Sequence, residues 1–135
     1  MKKAGHDVRE RGLRDAPPVR VVVSKEAHAT VFSALSLLGI GKRDMILAGT
    51  TGSGAMDAAC VPKPGPGCLL LLQAGNVVGG AFDDFETLVG MAREAGAWVH
   101  VDGAFGLWAA ASEKCRHLVR GMEGRIPGAS MPTRP

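Results

Sequence analysis

Ala97-Trp-Val-His-Val-Asp-Gly-Ala-Phe-Gly-Leu-Trp108 decides how the chain is read. An apolar run from Ala97 to Val101 is broken by a single acid, Asp102, and followed at once by Gly103 and Gly106. This pattern predicts a buried strand that ends on a carboxylate and turns tightly away from a sheet. Open α/β sheets bind their ligands at the carboxyl ends of parallel strands, which is where such a carboxylate sits. A buried, unpaired charge is costly, so Asp102 is expected to meet a specific cation. An aspartate that only caps the following turn is the alternative, because Asp is a common turn former.

Working outward, strand and helix patterns alternate. Val19 to Ser24 holds three consecutive valines and reads as a strand buried on both faces. Glu26 to Leu38 carries apolar residues at 27, 31, 34, 35 and 38, the spacing of an amphipathic helix. Ser24 is its expected N-cap and Gly39 its stop. Met45–Ala48 is a second strand, followed by a glycine-rich stretch at 49–54 and one or two helical turns within Ala55–Val61. Cys68–Gln73, with four successive leucines, is a third. After a loop from Ala74 to Phe82, Asp83 or Asp84 caps a helix running to Ala95, and Gly96 stops it. Beyond the opening stretch, Ser112 is expected to cap a last helix to about Met122. The alternation predicts an α/β fold with a mostly parallel sheet, right-handed crossovers and flanking helices. Its carboxyl edge then collects Ser24 and His28 after the first strand, Asn76 after the third and Asp102 after the fourth.

Composition narrows the function classes. A length of 135 residues suits one domain, and 46% hydrophobic with 21% charged residues is ordinary for a globular protein. The net charge of +3 is confined to the ends: residues 1–20 carry six Lys/Arg against three acids, residues 111–135 five against two, and the middle five against eight. Solvated termini, not a nucleic-acid surface, follow from that distribution. Aromatic residues make up 4%, with no Tyr, which argues against stacking platforms for single-stranded nucleic acid. Cys60, Cys68 and Cys115 show no CxxC spacing, which argues against disulfides and zinc and for a reducing cytoplasm. No apolar stretch approaches the ~18–20 residues of a membrane span, and no secretory signal is expected at the N-terminus.

Short motifs add little singly. Gly52-Ser53-Gly54 begins a dinucleotide fingerprint but has Asp57 where the third glycine belongs. Gly39-Ile-Gly-Lys42 is followed by Arg43 and is no phosphate-binding P-loop. His28 alone reads as a capping or core histidine, or as a flat ring placed against a planar ligand. His100 shares a strand face with Asp102 and is taken as structural.

Taken together, the segments resemble a known family. Ser24-x-x-x-His28-Ala-Thr30, Gln73-Ala-Gly-Asn76-Val-Val-Gly-Gly-Ala-Phe-Asp83, His100-Val-Asp102-Gly-Ala-Phe-Gly106 and Ser112 with Arg116-His-Leu-Val-Arg-Gly-Met-Glu123 occur in the order found in group II pyridoxal-phosphate-dependent amino acid decarboxylases. The resemblance runs from about residue 5 to residue 123. It implies part of the large cofactor-binding domain of a fold-type I enzyme, with pyridoxal 5'-phosphate as cofactor, a small amino acid as substrate and a homodimer for the intact enzyme. Asp102 would bind the protonated pyridine nitrogen, His28 would stack on the ring, and Asn76 and Ala104 would line the ring and substrate pocket. The chemistry implied is loss of an α-carboxylate with electrons drawn into the pyridinium ring.

Two parts of the family pattern are missing. Its phosphate-binding loop precedes the matched stretch, and its Schiff-base lysine stands in an Asp-x-His-Lys motif shortly after the segment matched by 116–123. Here Glu123 is followed by Gly124-Arg-Ile-Pro-Gly-Ala-Ser-Met-Pro-Thr-Arg-Pro135, and the six lysines (Lys2, Lys3, Lys25, Lys42, Lys63 and Lys114) lie in other contexts. Ser130-Met-Pro-Thr-Arg134 can be encoded as TCG-ATG-CCC-ACA-AGG, and those bases read from one before the ATG spell Asp-Ala-His-Lys, as a frameshift near codon 124 would leave. The division expected is therefore a polar leading segment at 1–18, a partial cofactor domain at 19–123 and an out-of-frame tail at 124–135. Such a truncated chain is expected to be inactive alone. A non-catalytic fragment or pairing module, or another fold-type I activity such as transamination or desulfuration, is the alternative.

Overall fold

In a computed structural model, which describes residues 6–125, the chain forms a four-stranded sheet with helices on both faces. The order is α1 (Val8–Arg11), β1 (Arg20–Ser24), α2 (Ala29–Leu37), β2 (Met45–Ala48), β3 (Cys68–Gln73), α3 (Phe85–Glu94) and β4 (Trp98–Asp102). Three short 3₁₀ turns follow, at Leu107–Ala111, Arg116–Val119 and Met122–Arg125. The fold class is as the alternating pattern predicts. The out-of-frame tail expected at 124–135 falls, from residue 126 onward, outside the described residues. No helix among the described residues is long and apolar enough to cross a membrane.

The strands lie in the order β2-β1-β3-β4, all parallel. Val22 pairs with Ile46 on one side and Leu70 on the other, and Leu70 pairs with Val99. Alternation along β1 then sorts the core. Val21 and Val23 face Leu35 of α2 and Met45, while Val22, Leu70 and Leu72 face Phe85, Leu88, Val89 and Ala92 of α3. The chain leaves β1 toward one face and β3 toward the other. Adjacent strands that diverge in this way open a crevice at their carboxyl ends, the switch point of a doubly wound sheet.

The two faces are covered unequally. The α3 face is closed by that helix with Val119 and Met122 behind it. On the opposite face α2 buries only Leu35, leaving Leu37 89% and Leu38 58% exposed. Trp98 and His100 of β4 stand exposed there, and Val99 is the one buried residue of that strand. The expectation of a fully buried β4 is thus corrected. Helix α2 lies over β1 and β3, and no described element reaches across to β4. His100, taken as structural from the sequence, sits on this open face.

Two helices also differ from expectation. Helix α2 starts at Ala29, with His28 and not Ser24 as its N-cap. Ser24 is still in the strand, and its hydroxyl instead accepts from the Glu26 amide at 3.1 Å to form a turn. The helix expected from Ser112 to Met122 is broken into 3₁₀ turns. Arg120 is extended, and Gly121, at φ +90°, presses against the first turn of α3, where a Cβ would come within 2.6 Å of the Glu86 nitrogen. Continuous helix is incompatible with that contact. At the other end of the crossover, Asp84 and not Asp83 caps α3, accepting from the Thr87 amide at 3.1 Å.

Candidate functional site

Each polar residue of the carboxyl edge is held by local chemistry. His28 caps α2 through Nδ1, which lies 2.8 Å from Thr30 Oγ1 and 3.4 Å from the Thr30 amide. With Nδ1 accepting from that amide, the ring proton belongs on Nε2. Asn76 is 5% exposed and organises its own loop: Oδ1 accepts from Val78 and Gly79 amides at 2.8 and 3.0 Å. Its Nδ2 reaches the Glu26 carbonyl at 3.5 Å, linking the loops that follow β1 and β3. Glu26 in turn accepts from Thr50 Oγ1 at 2.9 Å, which brings in the loop after β2.

Asp102 ends β4 opposite Gln73, and its carbonyl accepts from the Ala74 amide at 2.8 Å. Its Oδ1 accepts from the Ala104 amide at 3.1 Å, the turn-capping role weighed above. No cation pairs with it among the described residues, whose one ion pair is Arg9 with Asp7. Half-buried rather than enclosed, the carboxylate keeps Oδ2 free of protein donors there. The turn-capping alternative is thus seen for Oδ1, while the expected cation is not met among the described residues and Oδ2 is left without a protein donor there.

A cavity of about 520 Å³ lies between α2 and the open face of β3 and β4. Its walls are apolar, from Val31, Leu35, Leu69 and Leu71, and its polar end carries Ser24, Gln73, His100 and Asp102. The structure thus gathers Ser24 and Asp102 into one space. His28, Asn76 and the exposed Ala104 are not among its lining residues. Gln73, Glu26 and Asp83 are the edge residues that the sequence did not single out as a group. The Asp83-Asp84 doublet carried the only signal, since one helix needs one cap. Among the described residues no cluster of His, Cys, Asp and Glu could hold a metal ion.

No protein-family model matches the chain. An acidic amino acid decarboxylase of Mus musculus is 31% identical over 124 residues, 86% of this chain and 22% of that protein. A cysteine sulfinic acid decarboxylase of Homo sapiens is 30% identical over 125 residues, 87% of this chain and 25% of its own length. The chain is homologous to the group II pyridoxal-phosphate-dependent decarboxylases. Solved structures place the decarboxylase homology in three dimensions as well. Mouse CSAD in its apo form superposes with a TM-score of 0.77 at 28% identity, covering 87% of this chain and 27% of that one. The glutamate decarboxylase domain of a Vibrio parahaemolyticus diaminobutyrate-pyruvate transaminase and L-2,4-diaminobutyrate decarboxylase gives 0.77 at 28%, covering 91% and 28%. The fold is therefore that of the fold-type I cofactor domain. The chain spans about a quarter of the length of the curated relatives it matches.

Proposed function

We propose that this chain is the ring-side part of the cofactor domain of a pyridoxal-phosphate-dependent amino acid decarboxylase. The observation that carries the proposal is Asp102: a half-buried carboxylate at the carboxyl end of β4, facing a cavity, with one oxygen unused by protein donors among the described residues. That free acceptor fits a protonated pyridine nitrogen, which would supply the missing cation and one N–H donor. When bound, the cofactor supplies the electron sink for loss of an α-carboxylate. Asp102 would keep the proton on the ring nitrogen. His28, held in place as a helix cap, would stack on the ring, and Asn76 and Ala104, which do not line the cavity described above, would line the ring and substrate pocket. The substrate class is a small amino acid, and a homodimer is the proposed state of the intact enzyme.

Made as 135 residues, the chain is proposed to lack turnover, because none of its six lysines stands in the family's Schiff-base motif. The test titrates pyridoxal 5'-phosphate into the purified chain and into Asp102→Asn. A hydrogen bond to a charged group contributes about 1.5–3 kcal/mol, so the variant is expected to bind roughly 10- to 100-fold more weakly. Equal affinity would sink the assignment of Asp102. Borohydride reduction followed by peptide mapping is expected to show no single stoichiometric lysyl adduct. One such adduct, together with amine formation, would overturn the proposed inactivity. The open face of β4 favours a second reading, a module that works only when paired. A stable, folded monomer with no cofactor affinity would exclude both.

A further inference from the structure

Asp83 is the only buried carboxylate among the described residues, at 5% exposure. Both of its oxygens are used. Oδ1 accepts from the Met56 amide and Oδ2 from the Gln73 amide, each at 2.7 Å. Its own amide donates to the Gln73 carbonyl at 3.1 Å. Those partners belong to different segments: Met56 lies in the loop after β2, and Gln73 ends β3. Met56 also closes its own loop by a bridge with Thr50, and Thr50 holds Glu26. On the other side, Ala74 bridges Phe82, and the Asn76 amide donates to the Ala81 carbonyl at 2.7 Å. Asp83 therefore stands at the base of the 74–82 loop and fastens it to the 49–56 loop. Met56 and Ala74 also pack into the core, with Phe82 against it, whereas on the outer side Thr51, Gly52, Ser53 and residues 77–80 are exposed.

We propose that Asp83 is a positioning residue for the cofactor edge, a carboxylate clamp that fixes the loop bearing Asn76 to the loop after β2. The proposal rests on the cofactor reading above for its functional half. Its geometric half stands on the two amides. A carboxylate accepts from two amides at once. An amide side chain in its place has one oxygen and turns an NH₂ toward an N–H donor, so one strap is lost. Burial pushes the Asp83 carboxyl above its ordinary value, while the two backbone N–H groups pull it back, and no charged side chain contributes. The clamp is therefore made of backbone donors alone.

The experiment compares the 135-residue chain with Asp83→Asn and, as a charge-matched control, Asp84→Asn, in which the cap of α3 is kept by an equally good capping residue. Amide hydrogen exchange and pyridoxal 5'-phosphate titration are read at pH 7.5. Asp83→Asn is expected to speed exchange in 49–56 and 74–82 at least tenfold and to weaken cofactor binding at least fivefold, with β1 and β3 amides unchanged. Asp84→Asn is expected to change neither. Loop exchange equal to wild type, or loops and strands accelerating together, would overturn the clamp. If Asp83→Asn does not fold, wild type decides: with rising denaturant the Met56 amide and the 74–82 amides must share one opening free energy, and separate openings refute the proposal. A wild-type chain that binds no cofactor defeats the cofactor reading, while the exchange results still judge the clamp.

Discussion

Asp102 ends β4 and Asp83 stands just before the cap of α3, and their surroundings assign them opposite tasks. Asp102 keeps an oxygen for a ligand, whereas Asp83 turns both inward. The folded-state carboxyl of Asp83 is held above its ordinary value of 3.8 by burial. A raised folded value means that the folded chain holds this proton more tightly than the unfolded one. The contribution to stability is complete below the unfolded value and is lost as pH rises through the folded one. The stability of wild type minus that of Asp83→Asn is therefore expected to fall with rising pH from about pH 4 upward, by at most about 1.4 kcal/mol per pH unit. Denaturant titrations at several pH values measure it; a difference that grows with pH contradicts the burial account. Gly106 shows the same dependence on surroundings. Its amide donates to the Ala74 carbonyl at 2.9 Å, and a Cβ there would collide with that same carbonyl oxygen and come within 2.7 Å of the Phe82 ring. Gly106→Ala is expected to lower stability by about 1–3 kcal/mol, the usual cost of overpacking, as read by thermal unfolding.

At the scale of elements, the runs Val21–Val23 and Leu69–Leu72 left little choice but β-strands, and the structure places them at the centre of the sheet. Helix α3 was equally legible, with Phe85, Leu88, Val89 and Ala92 on one face and a capping aspartate before it. Helix α2 was legible in its period but not in its start. The side chain that caps it, His28, competes with Ser24 only once the end of β1 is known. The segment after Ser112 departs from expectation at its end because Gly121 packs on α3, a contact distant in sequence. Two leucines test the unequal cover of the sheet. Leu88 is 0% exposed, and Leu88→Ala is expected to cost about 2–5 kcal/mol. Leu37 is 89% exposed, and Leu37→Ala is expected to change stability by less than about 0.5 kcal/mol. Comparable losses at both sites would mean that the α2 face is not open as described.

For the whole molecule, that open face is the dominant physical feature. The cavity beside α2 is walled by apolar side chains, and Leu38 and Trp98, both among its lining residues, are 58% and 48% exposed. β4 pairs with β3 alone among the described strands, so its outer edge is free to pair as well. Exposed apolar surface and an unpaired strand edge both drive association. The isolated chain is expected to self-associate at micromolar concentrations, and Leu38→Lys combined with Trp98→Lys to reduce that association without lowering the melting temperature. Sedimentation velocity measures the first and calorimetry the second; a wild-type monomer at high concentration contradicts the expectation.

The strands, the parallel class and the acid that ends β4 are legible in the chain's own order of residues. These follow from local periodicity and from short segments whose order is fixed along the chain. Which residues meet is set by the fold. Asn76 spends its side chain on its own loop, His28 is a cap before it is anything else, and Asp83 joins segments 27 residues apart through the Met56 amide. Burial and hydrogen-bond pairing depend on contacts between distant segments. The pattern of any one segment cannot state them, because the same aspartate serves as cap, clamp or ligand partner according to which donors the fold brings to it.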